Sequence, residues 1–208
     1  TGTRMNRFAL AAILTGIMWP ACLFAQVESR RDSLEQLLDG ATHEERVELF
    51  CELSETYWQS SYDTSLLMAI HAHTLALKIN DQHLIALSLN MTGNAYYLMG
   101  DFTKSMDHYL QALEIRKELG DSNSLASSYN NIGAVYLQMK DHLRALFYLK
   151  NAKAIFEALQ DEDRLFSTMN NIGAVYIESE QFDTAYQYFS EAYEIAMRTG
   201  DENNISIV

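Results

Sequence analysis

The phrase Asn-Asn-Ile-Gly-Ala-Val-Tyr occurs at Asn130–Tyr136 and again at Asn170–Tyr176. A looser copy, Asn90-Met-Thr-Gly-Asn-Ala-Tyr96, precedes the first by the same interval. A fixed period of roughly 20–50 residues demands a stack of similar units, because one such unit cannot bury its apolar face alone. Other columns keep the register. Tyr96, Tyr136 and Tyr176 share one, Ser105, Ala145 and Ala185 are all small, and Ala112, Ala152 and Ala192 are identical, as are Ile115, Ile155 and Ile195.

The turns are legible too. Asp81, Asp121, Asp161 and Asp201 fall in register, each after Asn80, Gly120, Gln160 or Gly200. Gly or Asn suits the left-handed residue that ends a helix, and Asp suits the N-cap of the next one. Gln160 breaks that column. A second break falls at Gly100-Asp101, Lys140-Asp141 and Glu180-Gln181. Each unit is therefore two helices of about 17 residues, somewhat longer than the average helix. The spacing predicts pairs at 43–59/62–79, 82–99/102–119, 122–139/142–159 and 162–179/182–199, with no strands. The only proline is Pro20, outside all of them. Gly93, Gly133 and Gly173 are expected where the paired helices come closest. In the first unit, Leu53-Ser-Glu-Thr-Tyr57 fits the phrase at an offset one shorter than the others, and from Tyr62 onward the full offset returns. One residue is missing from its inter-helix turn.

This pattern resembles the tetratricopeptide repeat. The small residue and Tyr of the first helix are Gly133 and Tyr136; the small columns of the second are Ala145 and Ala152, with Tyr109 and Phe189 at its aromatic position. The units run to about 40 residues rather than the roughly 34 of the common form. They also lack the terminal proline, as in the long repeats of kinesin light chains, Pins-type adaptors and bacterial periplasmic regions that precede signalling domains. The resemblance implies an all-α, right-handed superhelix of antiparallel helix pairs, an α-solenoid. Its repeats fall at about 43–80, 81–120, 121–160 and 161–200, with a fifth begun at Asp201 and cut short. The open face of a cut-short stack is expected to favour self-association.

Residues 1–25 stand apart. Arg4 and Arg7 precede an apolar run from Phe8 to Trp19, and Ala25 offers a small residue at a cut, with Met5 as the start. This is the layout of a secretory signal, and it implies an exported, periplasmic or otherwise extracytoplasmic protein. An uncleaved anchor and a lipid attached at Cys22 are the alternatives. Residues 26–42, with Ser33–Leu38, suggest a short amphipathic helix capping the first unit.

Charge narrows the partners. The chain carries 28 acids against 15 Lys and Arg, a net −13. Removal of residues 1–25 takes away two Arg and no acid, giving −15. Nucleic acid and anionic membranes are disfavoured, leaving the membrane to the signal segment or a helix downstream of Val208. The two cysteines are Cys22 and Cys51, so after cleavage Cys51 is either a small buried hydrophobe or an intermolecular bridge. His71 and His73 are two apart and point about 200° from each other on a helix, the wrong spacing for a shared metal. No phosphate loop, nucleophile elbow or His-Glu-x-x-His stretch appears. No cofactor, metal or catalytic residue is expected.

Asn is a poor interior helix residue, yet Asn90, Asn130 and Asn170 recur, and Asn131 and Asn171 follow two of them. The resemblance places these on the concave wall, with Glu52, Glu55, Trp58, Asn94, Tyr97, Gln138 and Glu178. Two readings stay open: the amides meet a bound peptide backbone, or they form a ladder between neighbouring helices. The stripe Glu44, Glu48, Glu52, Glu55 is either a solvated face or a docking strip for a basic segment. No Lys or Arg falls in these columns, so a C-terminal carboxylate clamp is not expected. The implied function is a protein-interaction module for a neutral or basic polypeptide, the sensory or scaffolding part of a larger signalling protein. The alternative is the front of an enzyme, such as a histidine kinase or nucleotide cyclase, whose catalytic domain lies outside this chain.

Overall fold

A computed structural model describes residues 26–199. The expected signal segment, 1–25, and the expected start of a fifth unit, with Asp201, lie outside the described residues. The described chain is a run of helices: α1 (26–38), α2 (His43–Thr56), α3 (Tyr62–Ile79), α4 (Gln82–Leu98), α5 (Phe102–Leu119), α6 (Ser122–Gln138), α7 (His142–Leu159), α8 (Glu162–Glu178) and α9 (Phe182–Thr199). Among the described residues there is no strand, and no helix is long and apolar enough to cross a membrane.

The helix starts are set by side-chain caps. Asp81, Asp121 and Asp161 each accept from the backbone N–H three residues on, at 3.0–3.1 Å. Asp101 and Asp141 do the same inside their units. Thr42 opens α2 with a reciprocal cap: its hydroxyl takes the Glu45 N–H while its own N–H donates to the Glu45 carboxylate at 2.8 Å. Each such cap satisfies donors that the first turn leaves orphaned.

The helix ends share a left-handed residue. At the end of α4, Asp101 N–H reaches the Tyr96 carbonyl (2.9 Å) and Gly100 N–H reaches Tyr97 (3.0 Å). This pair of bonds closes the exposed carbonyls. The same pair recurs after α5, α6, α7 and α8. Gly100 and Gly120 supply the positive φ at no steric cost, whereas Lys140, Gln160 and Glu180 adopt it at φ 55–59° despite their Cβ atoms. Gln160 thus fills the role that its column demands. The turn between α2 and α3 differs. It holds no left-handed residue, and α2 ends at Thr56 rather than at the expected position 59. The Thr56 carbonyl is drawn off by the Arg31 guanidinium (3.0 Å), and Ser60 N–H turns to Tyr57 instead.

Paired helices pack tightly where glycine meets bulk. A Cβ on Gly93 would lie 2.6 Å from the Tyr109 ring, on Gly133 2.6 Å from Leu149 Cγ, and on Gly173 2.7 Å from the Phe189 ring. The first unit inverts this exchange of volume. Ser54 stands in the glycine column and Ala69 in the bulky one, both fully buried, and Ser54 Oγ bonds the Ser65 carbonyl at 2.9 Å. The alanine columns at 112, 152 and 192 are fully buried as well.

Neighbouring units stack through α3–α4, α5–α6 and α7–α8. The first helices also meet directly, α2 with α4 and α6 with α8. Their closer approach makes them the short, inner wall of the stack. Helix α1 lies on the other side of α2 as a cover, with Leu34 buried, and Arg46 Nε bonds the Leu38 carbonyl at 3.0 Å.

Two substitutions test these contacts. Gly133→Leu forces a side chain into the space of Leu149 and is expected to lower stability by about 1–3 kcal/mol in denaturant unfolding. Gln160→Gly relieves a left-handed Cβ and is expected to raise it by about 0.5–1 kcal/mol, the steric gain exceeding the entropic loss.

Candidate functional site

The inner wall is organised by amide rungs. Asn131 Nδ2 donates to Asn90 Oδ1 across α6 and α4, and Asn171 Nδ2 donates to Asn130 Oδ1 across α8 and α6, both at 3.1 Å. Each bond spans 41 residues, one more than the repeat, so the third unit gives a donor backward and an acceptor forward. The first junction replaces both partners. Cys51 and Met91 hold the equivalent positions and sit in one buried apolar cluster. Burial, reinforced by Glu55, Glu48 and Glu52, pushes the Cys51 thiol far above its ordinary value.

A buried cation locks the second junction. Arg116 is 6% exposed, and its Nη1 donates to Asn90 Oδ1 (3.2 Å), the Ser124 carbonyl (3.0 Å) and Ser128 Oγ (2.6 Å). Burial lowers its pKa to about 10, the expected direction for a desolvated guanidinium. Asn90 is consequently 7% exposed, with its carbonyl taken twice. It lies beneath the inner surface. Asn170 has no such neighbour: its Oδ1 is buried without a hydrogen-bond partner.

Above the rungs a groove of about 330 Å³ gathers residues from all four units: Trp58, Asn94, Tyr97, Asn131 and Asn171, with Tyr109 in its floor. No charged side chain lines it. Tyr109 is buried and donates to Asn94 Oδ1 at 2.7 Å. Burial lifts the Tyr109 and Tyr97 phenols above their ordinary range, and the Gln138 side chain acts against that trend at Tyr97. The Tyr97 ring leans on Phe102, centroids 5.7 Å apart.

The remaining expected wall residues stand apart from this groove. Glu178, at the end of α8, meets His142 Nε2 at 3.1 Å while Ser179 Oγ meets His142 Nδ1 at 3.0 Å. Glu52 pairs with Arg30 of α1 at 3.3 Å. Glu55 lines a second cavity of about 410 Å³ with Glu28, Arg30, Arg31 and Trp58. Trp58 is thus shared by both hollows, and its Nε1 is buried without a partner. Arg31 lies 3.8 Å from the Tyr57 ring centroid. These arginines are invisible to column alignment, since α1 belongs to no repeat. Among the described residues no group of three His, Cys, Asp or Glu is placed to hold a metal ion.

Burial is the largest influence on Glu55 and raises its carboxyl pKa; Arg30 opposes it and Glu52 adds to it. The folded chain therefore disfavours ionised Glu55. That penalty is present above the raised pKa and absent below the ordinary value of 4.5. Glu55→Gln is expected to stabilise the chain at pH 7, with the gain vanishing as pH falls through the carboxylate range. The rungs make a second comparison. Asn171→Leu strips Asn130 of its amide donor and should cost about 1–2 kcal/mol, whereas Asn131→Leu leaves Asn90 with Arg116 and should cost less. Equal losses in chemical unfolding would contradict this.

Known proteins place the fold. The tetratricopeptide repeat model matches residues 84–158 and 124–198, together more than half of the chain. No curated protein matches it. A Rap protein complexed with competence and sporulation factor is 18% identical at a TM-score of 0.80, over 90% of this chain and 53% of that one. The Rap conjugation gene regulator of plasmid pLS20, in complex with the Phr* peptide, is 18% identical at 0.74, over 87% and 50%. A kinesin light chain of Podospora anserina with nearly identical repeats is 16% identical at 0.63, over 95% and 99%. The chain spans about half the length of the two Rap proteins. With helix pairs, caps and glycine contacts recurring from unit to unit, the chain belongs to the tetratricopeptide repeat family.

Proposed function

We propose that the inner groove binds an extended polypeptide segment, and that this chain is the extracytoplasmic sensory or scaffolding part of a larger signalling protein. The observation that carries the reading is the convergence of Trp58, Asn94, Tyr97, Asn131 and Asn171 from four successive units on one uncharged hollow. Amides offer a donor and an acceptor to a peptide backbone. Trp58 and Tyr97 are the rigid aromatic anchors that interfaces favour. The Rap structures solved with competence and sporulation factor and with the Phr* peptide support a polypeptide occupant. Export rests on Arg4, Arg7 and the apolar run ahead of Ala25.

The favoured ligand is neutral or basic. The chain carries net −13, while the groove itself is uncharged and the hollow beyond Trp58 balances Glu28 and Glu55 with Arg30 and Arg31. Binding should weaken as salt rises, because exposed charges are screened within about 8–10 Å. A peptide array sampling neutral, basic and acidic sequences tests this. Capture of neutral or basic peptides is expected, with Tyr97→Ala and Trp58→Ala each weakening it by about tenfold or more. Unchanged affinity in both variants, or selection of acidic peptides, would sink the reading.

A further inference from the structure

The hollow between α1 and the end of α2 shares Trp58 with the groove but differs from it in chemistry. Its volume is about 410 Å³, and Glu28, Arg30, Arg31 and Glu55 line it, whereas the groove has no charged side chain. Arg31 is committed to the wall. Its Nη2 donates to the Thr56 carbonyl (3.0 Å) and to Ser60 Oγ (3.4 Å), and its guanidinium lies over the Tyr57 ring. Arg30 is freer, because its bond to Glu52 at 3.3 Å joins two exposed side chains, and such a pair is weak. Glu55 is the anomaly. It stands in the column of Asn94, Ala134 and Ala174, so the packing of a unit does not call for a carboxylate there. It is half-buried, yet among the described residues no ion pair includes it. Burial raises its carboxyl pKa although Arg30 opposes the rise, as for a carboxylate short of a positive partner.

We propose that this hollow binds a small zwitterion, an α-amino acid in its ordinary ionised form, with its ammonium at Glu55 and its carboxylate at Arg30. The lining requires both ends at once. A lone anion would face Glu28 and Glu55, and a lone cation would face Arg30 and Arg31. An uncharged molecule would leave Glu55 as poorly matched as before. An ammonium beside Glu55 gains a charge-assisted hydrogen bond and the neighbouring Trp58 ring, a surface that attracts cations. Arg30 gives up little in leaving Glu52, and its planar fork suits a carboxylate. The volume lies at the lower end of the roughly 300–1,000 Å³ of small-molecule sites. The stack builds this hollow once. It needs α1, which belongs to no repeat, and the α2–α3 turn, the one turn within the described repeats that lacks a left-handed residue. The inference is independent of what the groove binds.

The test is calorimetric titration of the common free amino acids into the 208-residue chain. At least one is expected to bind, one molecule per chain. Its amide, which lacks the carboxylate, and its N-acetyl derivative, which lacks the ammonium, should each bind about tenfold more weakly or worse. Glu55→Gln should weaken the free amino acid by a similar factor and leave the N-acetyl derivative unaffected, since that molecule has no ammonium to lose. Arg30→Gln should do the converse, weakening the free amino acid and sparing the amide. Glu55→Gln is expected to stabilise the chain at pH 7, so a denaturant midpoint that holds or rises separates loss of the site from loss of the fold. The proposal is overturned if no amino acid binds, or if either derivative binds as tightly as its parent. It is also overturned if Glu55→Gln and Arg30→Gln both leave the parent's affinity unchanged. Short peptides with free amino ends give a last arm: if they bind at Glu55 where free amino acids do not, the occupant is a polypeptide terminus and the assignment falls.

Discussion

Everything in this stack depends on how closely the two helices of a unit approach. At Gly93, Gly133 and Gly173 the backbone of the first helix lies directly against a Tyr, Leu or Phe of the second, with no room for a Cβ. That contact fixes the axial position of each helix relative to its partner. Once it is fixed, the alanine columns close the remainder of the interface, and the inner faces of α4, α6 and α8 come into a common register. The amide rungs need that register, since a hydrogen bond tolerates only a few tenths of an ångström. The polar wall is thus a consequence of apolar packing made behind it.

Polarity along the stack follows from the rungs. The third unit gives an amide donor to the unit before it and an acceptor to the unit after it, and the second gives an acceptor only. At the first unit the sign reverses: Glu52, in the column of Asn131 and Asn171, accepts from Arg30 of the covering helix. A carboxylate there cannot pair with the acceptor of a preceding repeat. The N-terminal cover is therefore chemically distinct from an internal repeat. The Cys51–Met91 junction next to it removes the amides in pairs, which avoids leaving either one unmatched in an apolar cluster.

Most of the fold was legible because caps, glycines and alanines each answer to a local demand that returns in every unit. Asp121 had to cap and Gly133 had to meet a neighbour, whatever lay elsewhere. The end of α2 was not legible, because it depends on Arg31, which no alignment brings to Thr56. For the wall, the recurrence of Asn was visible but its use was not. Comparing residues at equal phase hides a bond between Asn90 and Asn131, whose phases differ by one. Trp58, Asn94 and Tyr97 were placed on one wall from their columns, while the neighbouring hollow required the position of α1. Arg116 replaces Ala76, Phe156 and Ala196 in its column, and only the structure shows the polar pocket that holds it.

The left-handed residues that end the helices carry one last implication. The first unit ends on Asn80, a residue type that tolerates this conformation, and the second uses Gly100 and Gly120, whereas the third and fourth use Lys140, Gln160 and Glu180. A left-handed side chain stores on the order of 1 kcal/mol, so conformational strain accumulates toward the C-terminal half. In a linear array each unit is held only by its neighbours, and such a gradient sets the order of local opening. Amide hydrogen exchange would then proceed as fraying from α9 inward, with the α4–α5 pair as the slowest-exchanging segment.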